Sequence, residues 1–155
     1  WAAGLHPFDA YLKNTHEILG PLHEATAFER LERFEFVTPD RAVRRVVYGE
    51  GRKQTEVVVN FGSEDAPIQT RWGGTVLLPP WGFVVESPRF IAFHAKRWNG
   101  TEYPEGALFT LRVEKGRDFD HARGLRIFHG FGDAKIRWKE ATWDVPREEV
   151  VQMGS

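Results

Sequence analysis

Histidine is the residue type whose spacing in this chain could most directly indicate chemistry, because it binds metals and transfers protons near neutral pH. The six histidines are His6, His16, His23, His94, His121 and His129. Metal sites commonly place histidines at i and i+4 on a helix or as His-x-His on a strand, and neither spacing occurs here. We therefore predict no metal and no cofactor. His129, between Phe128 and Gly130, is expected to be a hydrogen-bonded core residue.

Carboxylates could in principle cleave glycosides as an acid–base pair, but 22 acidic residues make any pair uninformative. Most stand beside a basic residue, as Glu32 does beside Arg33, which is typical of a solvated strand face. The sequence has no cysteine, no Gly-x-Ser-x-Gly turn and no glycine-rich phosphate loop before a helix. We predict no catalytic residue. A small stand-alone β-barrel enzyme that uses His94 or His129 remains an open alternative.

Aromatic side chains are the stronger signal, with 12 Phe, 6 Trp and 3 Tyr in 155 residues. Several lie beside predicted turns, where a flat ring can stack on the apolar C–H face of a sugar. Trp98 and Tyr103 flank the turn at 99–101 and are the candidate carbohydrate-binding residues. The alternative is that both rings close the ends of the core or cover a surface that faces a partner.

The charge balance gives no support to two classes of partner. Lys and Arg number 21 and Asp and Glu number 22, a net charge of −1, so we expect neither nucleic-acid binding nor a polybasic membrane anchor. No apolar run approaches the ~18 residues of a membrane span. The basic run from Arg41 to Arg45, followed by Arg52 and Lys53, is offset by Asp40 and Glu50. We interpret it as a charged strand face, with an anion site as the alternative.

The first 28 residues differ from the rest in their periodicity. Apolar side chains recur there at spacings of three and four, which predicts an amphipathic helix. The members of this stripe are Phe8, Tyr11, Leu12, Thr15, Ile18, Leu19 and Leu22. Gly20 and Pro21 predict that the helix ends or kinks there, with a second short helix reaching about residue 28. The stripe must either cover the rest of the domain or pack on a neighbouring domain.

After residue 28 the apolar period changes to two, as in Phe34 and Phe36 or Phe109 and Leu111. The predicted strands cover about 31–37, 42–48, 54–61, 67–72, 74–78, 82–86, 89–97, 106–114, 124–130 and 134–144, and turn residues separate them. We predict a mainly β fold: an antiparallel, jelly-roll-like β-sandwich over 29–155 with a short helical segment over 1–28.

Three stretches, taken in order, resemble a known arrangement. They are YLKNT at 11–15 with LGPLH at 19–23, FVTPDR at 36–41 leading to TEVVVNF at 55–61, and LPPWGFVVE at 78–86. Their order is similar to the C-terminal region of large bacterial glycoside hydrolases, where an all-β accessory domain follows the last helix of the catalytic barrel. FHGFGD at 128–133 is similar to that family as well, and the resemblance covers about residues 8–132.

The resemblance implies a non-catalytic accessory β-sandwich that supports or packs on the catalytic barrel of the same parent chain. No position here matches a barrel motif, so no catalytic residue is carried over. Phe8, Leu12, Leu19 and Leu22 are then the predicted interdomain packing residues. The alternative is a carbohydrate-binding module that contacts a polysaccharide or oligosaccharide through exposed aromatic rings.

The resembling stretches also lead to local expectations. Asn60 is expected to hydrogen-bond turn backbone at the end of a strand. Gly82 is expected to supply backbone geometry that side chains forbid. Trp81 stands where an aromatic residue is usual in the family. The chain begins at Trp1 with neither an initiator Met nor a signal pattern, so we expect a mature product or a piece of a longer protein.

Overall fold

The computed structural model describes residues 5–153, and this range contains one α-helix, α1 (Pro7–Thr26), followed by twelve strands. The strands are β1 (Leu31–Phe36), β2 (Val43–Tyr48), β3 (Thr55–Asn60), β4 (Ala66–Gln69), β5 (Thr75–Leu78), β6 (Phe83–Glu86), β7 (Phe90–Trp98), β8 (Thr101–Val113), β9 (Gly124–Phe131), β10 (Lys135–Trp138), β11 (Ala141–Asp144) and β12 (Glu148–Gln152). A 3₁₀ turn, Gly51–Lys53, lies between β2 and β3. The predicted antiparallel β-sandwich with an N-terminal helix is confirmed.

One large sheet organises the fold, in the order β1-β2-β3-β6-β7-β8-β9-β12. The β4–β5 hairpin joins this sheet at the end of β7, where Leu77 lies opposite Arg97, and β10–β11 forms a separate pair. Both hairpins pack across one common core from the large sheet. Members of that core are Ile68, Val76, Ile136 and Trp138 from the hairpins and Val58, Val84, Ile91, Phe93 and Leu111 from the large sheet.

The helix α1 begins where the sequence predicts it. Pro7 lies in the first turn, where its missing N–H costs nothing, and the His6 ring accepts a hydrogen bond from the Phe8 backbone N–H at 3.2 Å. The predicted division into two helices at Gly20 and Pro21 is wrong, because α1 runs unbroken to Thr26. Pro21 removes one backbone hydrogen bond, but it is buried, and packing supplies most of a helix's stability in a protein.

The strand predictions are confirmed for most of the chain, and two differences have a clear origin. The strand predicted over 134–144 is a hairpin, because the chain turns at Lys139, whose φ is +51°. The sequence pattern does not predict the last strand, β12. It is an exposed edge strand whose pairing with β9 places Glu148 opposite Phe128, and an exposed edge needs no alternating apolar pattern.

Helix α1 lies on the outer face of the large sheet, opposite the core. Ile18 and Leu22 pack there against a small buried cluster of Val85, Phe90 and Ala92. In an antiparallel sheet, residues paired across strands share a face. The outer face can therefore be traced from strand to strand through the register.

Candidate functional site

The two candidate carbohydrate-binding rings lie in the core. Trp98 is 0% exposed and Tyr103 is 1% exposed. Trp98 stacks on Phe93 with ring centroids 4.7 Å apart, and the Tyr103 hydroxyl donates to the Lys135 carbonyl at 2.7 Å. Burial raises the pKa of that hydroxyl. The expectation that these rings are exposed is wrong, because the parts of β7 and β8 beside the turn belong to the packed sandwich.

His94 and His129 do not converge on a shared site. His94 pairs with Leu108 and His129 pairs with Phe109, so the two imidazoles occupy opposite faces of the sheet. His129 is buried and stacks on Phe109 at 4.6 Å, which confirms its prediction as a core residue. Burial lowers the pKa of both imidazoles. Over residues 5–153, no three His, Asp or Glu side chains are grouped so that they could hold a metal.

The buried carboxylates of residues 5–153 are Glu17 and Glu86, and both have structural partners. Glu17 accepts hydrogen bonds from Arg126 at 2.7 and 2.9 Å and from Lys13 at 2.7 Å. Burial acts to raise its pKa, but these two cations outweigh burial and hold the pKa at about 2. Glu86 accepts a hydrogen bond from the Trp72 backbone N–H at 3.0 Å, and burial raises its pKa. The two carboxylates lie on opposite faces of the large sheet, so they do not form a glycosidase pair.

Most of the large apolar side chains of the α1 stripe face away from the sheet. Its outward members are Phe8, Tyr11, Leu12 and Leu19, and all four are exposed. The buried residues of α1 are Ala10, Glu17 and Pro21, which lie on the other side of the helix. Of the four predicted interdomain packing residues, Phe8, Leu12 and Leu19 are therefore accessible. Leu22 instead packs on its own sheet, with Ile18.

Exposed aromatic rings also occupy the outer face of the sheet, beyond the strands that α1 covers. The register aligns Phe34 with Val46, Val57 and Val85 in turn, and Val85 belongs to the cluster that contacts α1. Phe34 therefore lies on the same side of the sheet as the helix. Phe34 and Phe36 are both exposed, and their rings meet edge to face at 5.2 Å.

Trp81 extends this surface and is 69% exposed. Its ring meets Phe61 edge to face at 5.7 Å, and the Arg44 guanidinium lies 4.6 Å from the Phe61 ring centre. The φ of Trp81 is +63°, a conformation that costs free energy in any residue with a side chain. Its backbone N–H donates to the Asn60 carbonyl at 2.8 Å, which helps to hold the turn in place.

We call these exposed side chains together the outer apolar face. It comprises Phe8, Tyr11, Leu12 and Leu19 of α1 and Phe34, Phe36, Phe61 and Trp81 on the sheet side. Aromatic rings supply six of its eight members, since only Leu12 and Leu19 are aliphatic. The arrangement suits binding by apolar contact.

Asn60 organises the turn that carries Trp81, as predicted. Its side-chain nitrogen donates to the carbonyls of Glu64, Leu78 and Pro79 at 2.8, 3.0 and 3.2 Å. Its side-chain oxygen accepts from the Gly62 backbone N–H at 2.9 Å. One buried amide therefore ties together the ends of β3 and β5.

Gly82 allows this turn to form because it has no side chain to collide with nearby backbone atoms. The expectation that Gly82 adopts backbone geometry forbidden to side chains is wrong, because the positive φ belongs to Trp81. A Cβ on Gly82 would lie 2.8 Å from the Pro79 carbonyl oxygen and 2.9 Å from the His94 carbonyl oxygen. Glycine is required here because backbone atoms approach from two sides.

In the part of the chain that the structure describes, no helix is both long and apolar enough to cross a lipid bilayer. Comparison of the chain with protein-family models, with curated proteins and with solved structures finds no match.

Proposed function

We propose that this chain is a non-catalytic accessory β-sandwich of a glycoside hydrolase, and that it packs on the catalytic barrel of the same parent chain through the outer apolar face. The observation that carries the proposal is the exposure of eight large apolar side chains on one side of the domain. Soluble monomeric proteins rarely expose large apolar patches, and those that do commonly use them for interaction. The identity of the partner rests on the sequence resemblance.

The composition of the face supports a protein partner. Interfaces between proteins are enriched in aromatic residues and arginine, which contribute most of the binding free energy. The guanidinium groups of Arg41 and Arg44 lie 5.4 Å from the Phe36 ring centre and 4.6 Å from the Phe61 ring centre, respectively. Aromatic rings and arginine guanidinium groups thus alternate along this part of the surface.

The rigidity of the face supports stable docking. The Glu17–Arg126 ion pair ties α1 to the sheet, so the helical and sheet parts of the face move together. The Asn60 hydrogen bonds hold the turn that presents Trp81. A surface that is ordered before binding loses less conformational entropy when a partner docks.

Carbohydrate binding is the second candidate, at Trp81 instead of the buried Trp98 and Tyr103. The exposed Trp81 ring, backed by Phe61, could stack on a sugar of a polysaccharide or oligosaccharide. The two candidate functions compete for the same ring. A Trp81 that is covered by a barrel in the parent protein would not be open to glycan.

The test of docking uses the barrel encoded in the same reading frame, expressed separately and mixed with this chain. We expect the two proteins to co-purify, and we expect Leu12→Ser with Phe36→Ser to abolish the association. Ala141→Ser is the control, because Ala141 is an exposed apolar residue on the β10–β11 hairpin, which packs against the opposite side of the core. A reading frame without such a barrel, or equal binding by the double variant, would overturn the proposal.

Two further assays separate the alternatives. A panel of chromogenic glycosides should give no turnover with the isolated chain, and turnover abolished by one carboxylate substitution would overturn a non-catalytic role. Affinity electrophoresis through polysaccharide gels addresses the second candidate. Retardation that is lost in Trp81→Ala but kept in Trp72→Phe would support glycan binding at Trp81.

A further inference from the structure

A basic cleft lies beside the C-terminal end of α1, and none of the eight residues of the outer apolar face lines it. Its volume is about 840 Å³, and its walls come from α1, the 3₁₀ turn, the β6–β7 turn and the segment at the end of β8. The cationic side chains that line it are Arg52, Lys53, Arg89, Arg112, Lys115 and Arg117. Three acidic residues line it as well.

This cleft concentrates positive charge on a chain that is nearly neutral. Six cations face three acidic side chains in the cleft, whereas the whole sequence has 21 basic and 22 acidic residues. A cleft lined by an excess of one sign of charge focuses its field and raises the local concentration of the opposite ion. This excess of positive charge in the cleft therefore favours an anionic ligand.

Four of the six cations are available to a ligand. Arg112 pairs with Glu24 at 3.6 Å and Arg117 pairs with Glu114 at 3.1 Å. Arg52, Lys53, Arg89 and Lys115 form no ion pair with any residue of the 5–153 range and come from three separate segments. Several anionic groups on one ligand could thus be bound together.

The remaining lining is mostly apolar, with Thr55 and Ser87 as its polar members. Pro21, Pro88, Phe90 and Val113 contribute to the walls between the charged groups. The volume exceeds what one phosphate or sulfate ion would fill and falls in the usual range for ligand sites, about 300–1,000 Å³. A ligand with apolar ring faces and anionic groups at its edge matches this lining.

We propose that this cleft binds an anionic polysaccharide, whose sulfate or carboxylate groups pair with Arg52, Arg89 and Lys115 while its sugar rings lie against the apolar wall. The anionic character follows from the cleft. The choice of a sugar chain over an acidic peptide rests also on the proposed function, in which the cleft would hold a substrate chain near the barrel.

The experiment measures binding of the isolated chain to four polymers by isothermal titration calorimetry. Chondroitin sulfate carries sulfates and carboxylates, polygalacturonate carries carboxylates alone, dextran is neutral, and polyglutamate is an acidic peptide. We expect binding to one or both anionic polysaccharides that weakens as salt is added, and none to dextran. Comparing the two anionic polysaccharides identifies which anion the cleft prefers.

Matched variants test the location. Arg52→Gln, Arg89→Gln and Lys115→Gln together remove three cleft cations. Arg33→Gln, Lys135→Gln and Arg137→Gln remove three exposed cations that do not line the cleft, with the same change in net charge. We expect the first triple variant to bind about 3- to 125-fold more weakly than the parent, since each of the three exposed ion pairs contributes a factor of about 1.4 to 5. The second should bind like the parent.

Three outcomes would overturn the proposal: no binding to either anionic polysaccharide, equal weakening in both triple variants, or polyglutamate binding as tightly as the polysaccharides. The measurement uses this chain without a barrel and leaves the outer apolar face unchanged. A negative result would therefore reject the cleft proposal and leave the docking proposal standing.

Discussion

Glu17 of α1 and Arg126 of β9 are 109 residues apart in sequence and form a two-pronged ion pair, with N–O distances of 2.7 and 2.9 Å. Arg126 also binds Glu148 of β12 at 2.8 Å, and Lys13 binds Glu17 from one helical turn away. This network joins the helix, an interior strand and the edge strand. It holds the charged side of α1 against the sheet, next to the contacts that Ile18 and Leu22 make there.

Loss of this ion pair should loosen the helix from the sheet. We expect Glu17→Gln to lower the free energy of unfolding by about 1.5–3 kcal/mol, because a neutral amide replaces the charged hydrogen bonds of the buried carboxylate to Arg126 and Lys13. Urea denaturation followed by circular dichroism measures the change. Glu24→Gln is the control, since the exposed Glu24–Arg112 pair should contribute less than about 1 kcal/mol. Equal effects of both substitutions would contradict the structural role of Glu17.

The same pair predicts a dependence of stability on pH. A carboxyl group whose pKa falls on folding stabilises the folded state above its unfolded pKa and loses that effect as the pH falls through its folded pKa. For Glu17 these values are 4.5 and about 2. The difference in unfolding free energy between the parent and Glu17→Gln should therefore be full at about pH 6 and shrink steadily below about pH 4.5. A difference that stays constant down to about pH 2.5 would refute this assignment.

For Glu86 we expect the opposite dependence of stability on pH. Burial raises its pKa, so its ionisation disfavours the folded state once the pH exceeds the unfolded pKa. We expect Glu86→Gln to gain stability relative to the parent as the pH rises from about 4 to about 7, because glutamine keeps an acceptor for the Trp72 N–H without the buried charge. Unfolding free energies across this range give the comparison, and a relative loss would contradict it.

The two tryptophans that the sequence placed beside turns should respond very differently to substitution. Trp98 is fully buried, so Trp98→Ala should cost about 3–5 kcal/mol of unfolding free energy. Trp81 is mostly exposed, and Trp81→Ala should cost less than about 1 kcal/mol. Thermal and urea denaturation measure both variants, and a large loss of stability in Trp81→Ala would show that the ring is part of the core.

Much of the fold could be predicted from local patterns. The period of two in segments such as 55–60, interrupted by glycine and proline turns, predicts short antiparallel strands because side chains alternate between the faces of a sheet. Asn60 could be recognised as a turn organiser because its side chain bonds readily to nearby backbone. Pro21 could not be recognised as a helix residue, because its burial depends on what the helix packs against.

The candidate functional surfaces could not be predicted from local sequence patterns, because they are formed by contacts between residues that are far apart in the sequence. Trp98 and Tyr103 flank a turn, which would equally suit exposed or buried rings, and the packing around β7 and β8 decides that they are buried. The cleft cations come from segments far apart in sequence, such as Arg52 and Lys115. Their shared location could be found only once the strands were arranged.

The sequence by itself determined the fold class, the presence of an N-terminal helix and the near-neutral charge, because periodicity and composition are properties of neighbouring residues. The tertiary structure alone decided which side of that helix is covered, which aromatic rings stay open to solvent and where positive charge gathers. The physical reason is that a helix with apolar residues on one side and Ala10 and Glu17 on the other can bury either side. The buried side contacts Arg126 and the cluster of Val85, Phe90 and Ala92, which are all distant from the helix in sequence.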